Sequence, residues 1–259
     1  MQKIWLKLQN GLIDYCGKKG FNKVALGLSG GMDSALVAAL AADAVGPQNV
    51  YAFMMSTKYT SRLSKDLARQ LSLILGINYE EFDIQKSVDE ELALLNGYFP
   101  DGLNSVAEQN IQSRVRGNLL MGVSNNAGHL VLACGNRSEV SVGYCTLYGD
   151  TAGGLMPIGN IYKTEVFKLA KWRNGGGIVI PEEIINRVPS AELKYEQKDE
   201  DSLPPYDVLD PILIAYLDEK KIRDEIIAAG YPEDVVDFII GLNAKAQFKL
   251  KQLPEMLPR

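Results

Sequence analysis

The stretch Lys23-Val24-Ala25-Leu26-Gly27-Leu28-Ser29-Gly30-Gly31-Met32-Asp33-Ser34 decides how this chain is read. Lys23 to Leu26 has the character of a short β-strand, and Ala35 to Val45 that of a helix. A strand, a glycine turn and a helix start together make an anion cradle. Glycines let the backbone approach closely, and the first N–H groups of a helix point at negative charge. Successive N–H groups in such a turn form a nest for phosphate oxygens. Asp33 is out of place beside phosphates unless a cation lies between them, and an oxygen ligand for Mg²⁺ resolves that conflict.

Two familiar phosphate loops do not fit. A Walker A loop needs a Lys that is missing near Gly31, and Gly27-Leu28-Ser29 breaks a Gly-x-Gly-x-x-Gly fingerprint. Outward from the loop, strands and helices alternate. Residues 3–18 read as an amphipathic helix with Ile4, Trp5, Leu8, Leu12 and Cys16 on one face. Val50–Met55 is a second strand. Arg62–Leu75 is a helix with Leu63, Leu67, Leu71 and Leu75 at steps of four, and Ile77–Ile84 is a third strand. Val106–Asn125 reads as a long helix, His129–Cys134 as a fourth, buried strand, and Lys163–Arg173 as another helix. The pattern predicts an α/β fold, a doubly wound parallel sheet with helices on both faces. From Asp207 onward the tail is helical, including Pro232–Leu250, so a helical C-terminal extension is expected. Residues 1–259 are expected to form one domain, with the polar, acidic stretch 191–205 as a mobile loop beside the site.

Composition narrows the classes. The 259 residues carry 46% hydrophobic and 23% charged residues, as globular proteins do. A net charge of −5 argues against a broad nucleic-acid surface. Cys16, Cys134 and Cys145 have no Cys-x-x-Cys spacing, and such a sparse, odd count suits a reducing cytosol. Met1 to Lys7 lacks the apolar core of a signal peptide, and no apolar run reaches the ~18 residues of a membrane span. A cytoplasmic protein with no membrane and no nucleic-acid partner is expected.

Further segments carry chemistry. Asn110 and Arg114 are four apart in the long helix and share a face, which suits a ligand contact or a solvated surface. Gly135-Asn136-Arg137-Ser138-Glu139 places a second carboxylate after the fourth strand, as Asp33 follows the first. Two acids at neighbouring strand ends can hold Mg²⁺ against a triphosphate; a surface ion pair or a helix cap is the alternative for Glu139. Tyr148-Gly149-Asp150-Thr151-Ala152-Gly153-Gly154 is a glycine-rich loop with one acid. Lys163 opens a helix, where a cation opposes the dipole unless an anion is near. Pro189-Ser190-Ala191-Glu192-Leu193 leads into the acidic loop Asp199 to Tyr206. His129, the only histidine, begins a buried strand and reads as structural.

The Ser-Gly-Gly-x-Asp-Ser pattern of Ser29–Ser34 resembles the loop of the ATP pyrophosphatase superfamily. All these segments in order, from Gly27 to about Lys251, resemble the NAD synthetase family. They are closer to the synthetase portion of its glutamine-dependent members than to the short ammonia-dependent ones. The resemblance implies an adenine nucleotide alpha hydrolase-like fold and a ligase that amidates nicotinic acid adenine dinucleotide to NAD with ammonia, releasing AMP and pyrophosphate. It implies that Gly27, Leu28, Ser29, Gly30, Gly31, Met32, Asp33 and Ser34 cradle ATP, with Cys134, Lys163 and Ser190 also touching it. Asp33 and Glu139 are implied as Mg²⁺ ligands, and Asp33 and Lys163 as the catalytic pair. Asn110, Arg114, Glu139, Asp150 and Lys249 are implied around the deamidated dinucleotide.

Three departures stand out. Cys134 replaces a common Thr, Ser56 a common Pro, and Leu250 interrupts a Lys-Arg pair beside Lys249. The resemblance also implies a homodimer through the long helix, for which Val115, Leu119 and Val123 suit either an interface or the core. It leaves room for a separate glutamine amidase that supplies the ammonia. Other readings are a different ATP pyrophosphatase ligase, a tRNA thiolase, which the acidic charge and missing Cys-x-x-Cys disfavour, and a nucleotide sensor without turnover. The presence of Asp33, Glu139 and Lys163 together disfavours the sensor.

Overall fold

The computed structural model describes residues 1–99 and 101–259. Its centre is a four-stranded parallel sheet: β1 (Val24–Gly27), β2 (Val50–Ser56), β3 (Asn78–Asp83) and β4 (Leu130–Val131), in the order β3-β2-β1-β4. Side chains alternate across it as the pleat requires. Val24, Leu26, Val50, Ala52 and Met54 face one core, which α1 (Gln2–Lys19), α2 (Met32–Val45) and α3 (Arg62–Leu75) cover. Ala25, Phe53, Met55 and Val131 face the other, covered by α4 (Gln85–Tyr98) and α5 (Ser105–Ala127). Helices thus lie on both faces, as the alternation predicts.

The chain moves outward from β1 through β2 to β3, then crosses back to place β4 on the other side of β1. The switch point lies between β1 and β4, where the segments leaving the two strand ends diverge and leave a crevice. α6 (Arg137–Ser141) follows β4, and α7 (Lys163–Asn174) returns to the first core. α9 (Tyr206–Leu213), α10 (Arg223–Ala228) and α11 (Glu233–Leu250) build a separate apolar cluster around Leu209, Ile212, Ile226, Val236 and Ile239. This is the expected helical C-terminal region, with α8 (Glu182–Asn186) ahead of it.

Several details differ from the sequence pattern. Leu67 and Leu71 are buried, but Leu63 is 51% exposed, because the buried face of α3 runs through Ser64, Leu67, Ala68, Leu71 and Ser72. The run His129–Cys134 is extended yet shared between two ladders: Leu130 and Val131 pair with β1, while Leu132 bridges to Leu155 in β5 (Leu155–Met156). α4 and α8 have no counterpart in the sequence reading. Val115, Leu119 and Val123 all pack toward the sheet, which decides for the core between their two readings. Among the described residues no helix is long and apolar enough to cross a membrane.

Candidate active site

The phosphate loop has the geometry its sequence requires. Gly30 has φ +77°, and a Cβ there would run into the Ser64 carbonyl oxygen at the start of α3. Ser29 and Ser34 brace the turn: their hydroxyls are 3.1 Å apart, and the Ser29 N–H donates to Ser34 Oγ at 3.2 Å. The Gly31 N–H donates to Ser29 Oγ at 3.2 Å. At the start of α2, the N–H groups of Met32, Asp33 and Ser34 have no acceptor within the helix.

At the switch point, three charged side chains from three segments meet. Lys163 Nζ lies 2.5 Å from Asp33 Oδ2 and 3.2 Å from Glu139 Oε1, and the lysine is only 3% exposed. Asn136 completes the cluster. Its Nδ2 donates to Asp33 Oδ1 at 3.0 Å, while its Oδ1 accepts from the Glu139 N–H at 3.0 Å. Asn136 and Glu139 form the two halves of a capping box on α6. The Tyr206 ring covers the ammonium at 5.2 Å. The helix-cap and metal-ligand readings of Glu139 are therefore compatible in one conformation.

The cation at the start of α7 is explained by acids as well. Asp210 on α9 is fully buried and accepts from the Thr164 N–H at 2.8 Å and from Ser138 Oγ at 2.5 Å. Ser138 Oγ in turn accepts from the Lys163 N–H at 2.8 Å. A carboxylate thus caps α7 while Asp33 and Glu139 neutralise its first side chain. Burial works against the charge on Lys163, but Asp33 and Glu139 together outweigh it and its pKa rises. Burial raises the Glu139 pKa, and the Lys163 ammonium works against that rise. A third acid, Asp199, is 4% exposed and accepts from the Tyr206 hydroxyl at 2.8 Å and from Tyr144 at 3.3 Å. Cys134 is close by, its Sγ 3.9 Å from the Gly27 carbonyl oxygen, and burial raises its thiol pKa.

Among the described residues no group of three or more His, Cys, Asp and Glu side chains forms a metal cage. Two carboxylates suit a hard cation that takes its remaining ligands from water and substrate phosphates, as Mg²⁺ does. Acids outnumber the lysine in this cluster, so a second positive charge fits there.

The other expected residues gather on one loop, 143–151. Asn110 Oδ1 accepts from Thr146 Oγ1 at 2.7 Å, and Arg114 Nε donates to the Leu147 carbonyl at 3.3 Å. Asp150 Oδ1 accepts from the Thr146 N–H at 2.6 Å. Lys249 Nζ donates to the carbonyls of Gly143 and Cys145 at 2.8 and 2.7 Å. Ser190 lies apart from both groups; its hydroxyl accepts from the Glu192 N–H at 3.1 Å. The Glu192 carboxylate accepts from Ser64 Oγ at 2.8 Å and pairs with Arg187. Since Ser64 backs onto Gly30, Ser190 is tied to the flank of the phosphate loop. His129 is buried against the Tyr51 ring at 4.2 Å, as a structural residue would be.

Asn136, Asp199, Tyr206 and Asp210 join the site in addition to the residues expected from the sequence. The Asn136-x-x-Glu139 spacing was a readable cap signal. Nothing in the sequence around Asp210 ties it to Lys163.

Residues 4–253 match the family described as NAD synthase. The glutamine-dependent NAD(+) synthetase of Xanthomonas campestris pv. campestris (strain 8004) is 51% identical over 96% of this chain and 45% of its own length. The chain thus spans about half the length of the curated relatives it matches. The structure of the NH3-dependent NAD synthetase from Campylobacter jejuni is similar, with a TM-score of 0.78, 29% identity, and 99% and 98% of the two chains covered. An NMN synthetase from Francisella tularensis superposes with a TM-score of 0.81 at 26% identity, over 96% and 94% of the two chains.

Proposed function

The chain belongs to the NAD synthase family, and from that premise we propose that it amidates nicotinic acid adenine dinucleotide to NAD at the expense of ATP. The observation that carries this reading is the meeting of Asp33, Glu139 and Lys163 above the Gly27–Ser34 loop. The nicotinate carboxylate attacks the α-phosphorus of ATP, and pyrophosphate leaves. Ammonia then attacks the acyl adenylate, and AMP leaves with one carboxylate oxygen.

The residues divide this work. The loop and the start of α2 hold the phosphates, and Cys134 and Ser190 border the nucleotide. Lys163 offsets charge growing on the leaving pyrophosphate, by electrostatics rather than covalent catalysis. Asp33 and Glu139 would hold Mg²⁺, which supplies further positive charge to the phosphates. Asn110, Arg114, Glu139, Asp150 and Lys249 line the dinucleotide side. The stretch 191–205 closes over the adenylate and keeps water from it.

Residues 1–259 act as one synthetase unit in the cytoplasm, without nucleic-acid or membrane partners. The unit is a homodimer, supported by exposed Leu94, Tyr98 and Val106 around the α4–α5 connection; light scattering that finds only monomer would contradict this. Ammonia is the immediate nitrogen donor; burial raises the thiols of Cys134 and Cys145, away from the thiolate that glutamine hydrolysis uses. A separate amidase can supply it.

Pyrophosphate release tests the reading, with ammonium and glutamine compared as donors and the deamidated dinucleotide and mononucleotide as acceptors. Release with dinucleotide and ammonium is expected. Turnover on the mononucleotide alone would move the protein to NMN synthesis, and no release on either would leave the sensor reading.

A further inference from the structure

Arg116 on α5 is half-buried, and among the described residues its guanidinium has one hydrogen-bond partner: Nε donates to the Met55 carbonyl oxygen at 3.0 Å. The other half-buried arginines are paired with carboxylates, Arg137 with Asp218, Arg173 with Asp43, Arg187 with Glu192, and Arg223 with Glu233 and Asp237. Among the described residues, Arg116 has no carboxylate within ion-pair distance. A guanidinium partly withdrawn from water with no counter-ion is unfavourable, and burial pushes its pKa down to about 10. Groups held at such a cost concentrate at ligand sites.

Its position is defined from two sides. Met55 lies near the end of β2, and its Cε is 3.3 Å from where a Cβ would stand on Gly27. Leu120, one turn along α5 from Arg116, lies 3.8 Å from the same point. The Arg116 guanidinium also feels the charge of Glu192, whose carboxylate binds Ser64, the residue backing Gly30. Arg116 therefore flanks the phosphate loop between Gly27 and Gly30. Arg114, two residues earlier and about 200° around the helix, turns instead to the 143–151 loop.

We propose that Arg116 is a nucleotide-binding residue, donating its free Nη groups to an anionic oxygen of ATP, while Arg114 serves the second substrate. α5 then divides the two substrates, with one arginine for each. The inference rests on the reading of the Gly27–Ser34 loop as an ATP site.

Calorimetric binding of a non-hydrolysable ATP analogue, and separately of the deamidated dinucleotide, to Arg116→Met and Arg116→Gln tests it. Loss of a charge-assisted hydrogen bond should weaken nucleotide binding about tenfold or more. Dinucleotide binding should stay as in the wild type. The melting temperature of the ligand-free variants should hold or rise, because an unpaired, partly buried cation is gone. Unchanged nucleotide affinity, or a loss confined to the dinucleotide, would overturn the assignment. A fall in melting temperature with nucleotide affinity intact would make Arg116 a structural brace for Met55. The measurement needs no turnover, so wild-type protein that binds nucleotide but makes no NAD would sink the proposed function and leave this comparison standing.

Discussion

Lys163 gathers the chemistry of the site at the level of single residues. It is almost wholly buried, yet two carboxylates reach it and Asp210 caps the helix it begins. Asp33→Asn and Glu139→Gln keep the shapes of these acids and remove their charge. Each should lower ATP turnover by about two orders of magnitude or more if it holds Mg²⁺ at the phosphates. Near-normal turnover at limiting Mg²⁺ in either variant would remove it from the metal site. Circular dichroism should report an unchanged fold. The sequence announced Asp33 and Glu139 because each follows a strand end by a few residues, and strand ends in this fold class face ligands. Lys163 was visible from the residues as a helix-dipole anomaly and from the family resemblance as a phosphate contact; in the structure its cation is met by acids distant in sequence. Asp210 left no local trace at all, since its role depends on how α9 packs against α7.

The segment 187–205 shows how elements are joined at the site. Glu192 and Glu196 both have positive φ, 48° and 55°, a conformation that non-glycine residues keep only under surrounding contacts. For Glu192 those contacts are Ser61, Ser64 and Arg187; the Gln112 side chain holds the neighbouring Leu193 carbonyl at 2.9 Å. These bonds attach the segment to α3 and α5 at the phosphate loop. Glu192→Ala should release it. Tryptic cleavage at Lys194 and Lys198 should accelerate severalfold and the KM for ATP should rise, with little change in thermal stability. Cleavage at the wild-type rate would mean that Glu192 does not hold the segment. Sequence composition alone identified this stretch as an irregular acidic loop, but its docking depends on pairs 81 to 131 residues apart. Helices were legible where their apolar spacing was regular, as in Arg62–Leu75. α4 was not, because it buries little beyond Val88 and so shows no clear apolar stripe.

Across the whole molecule, the strand order β3-β2-β1-β4 explains why residues from positions 33, 139 and 163 meet. The fold class was legible because the buried strands β1, β2 and β4 are apolar and strands alternate with helices, although the exposed edge strand β3 is polar. Strand order was not, as nothing local in β4 says which edge of β1 it joins. In the proposed reaction this crevice activates a carboxylate as an adenylate. Substrate labelled with heavy oxygen in the nicotinate carboxylate tests it most directly, with products read by mass spectrometry. The account predicts labelled AMP and unlabelled pyrophosphate. ADP as the product, or label in inorganic phosphate, would contradict it.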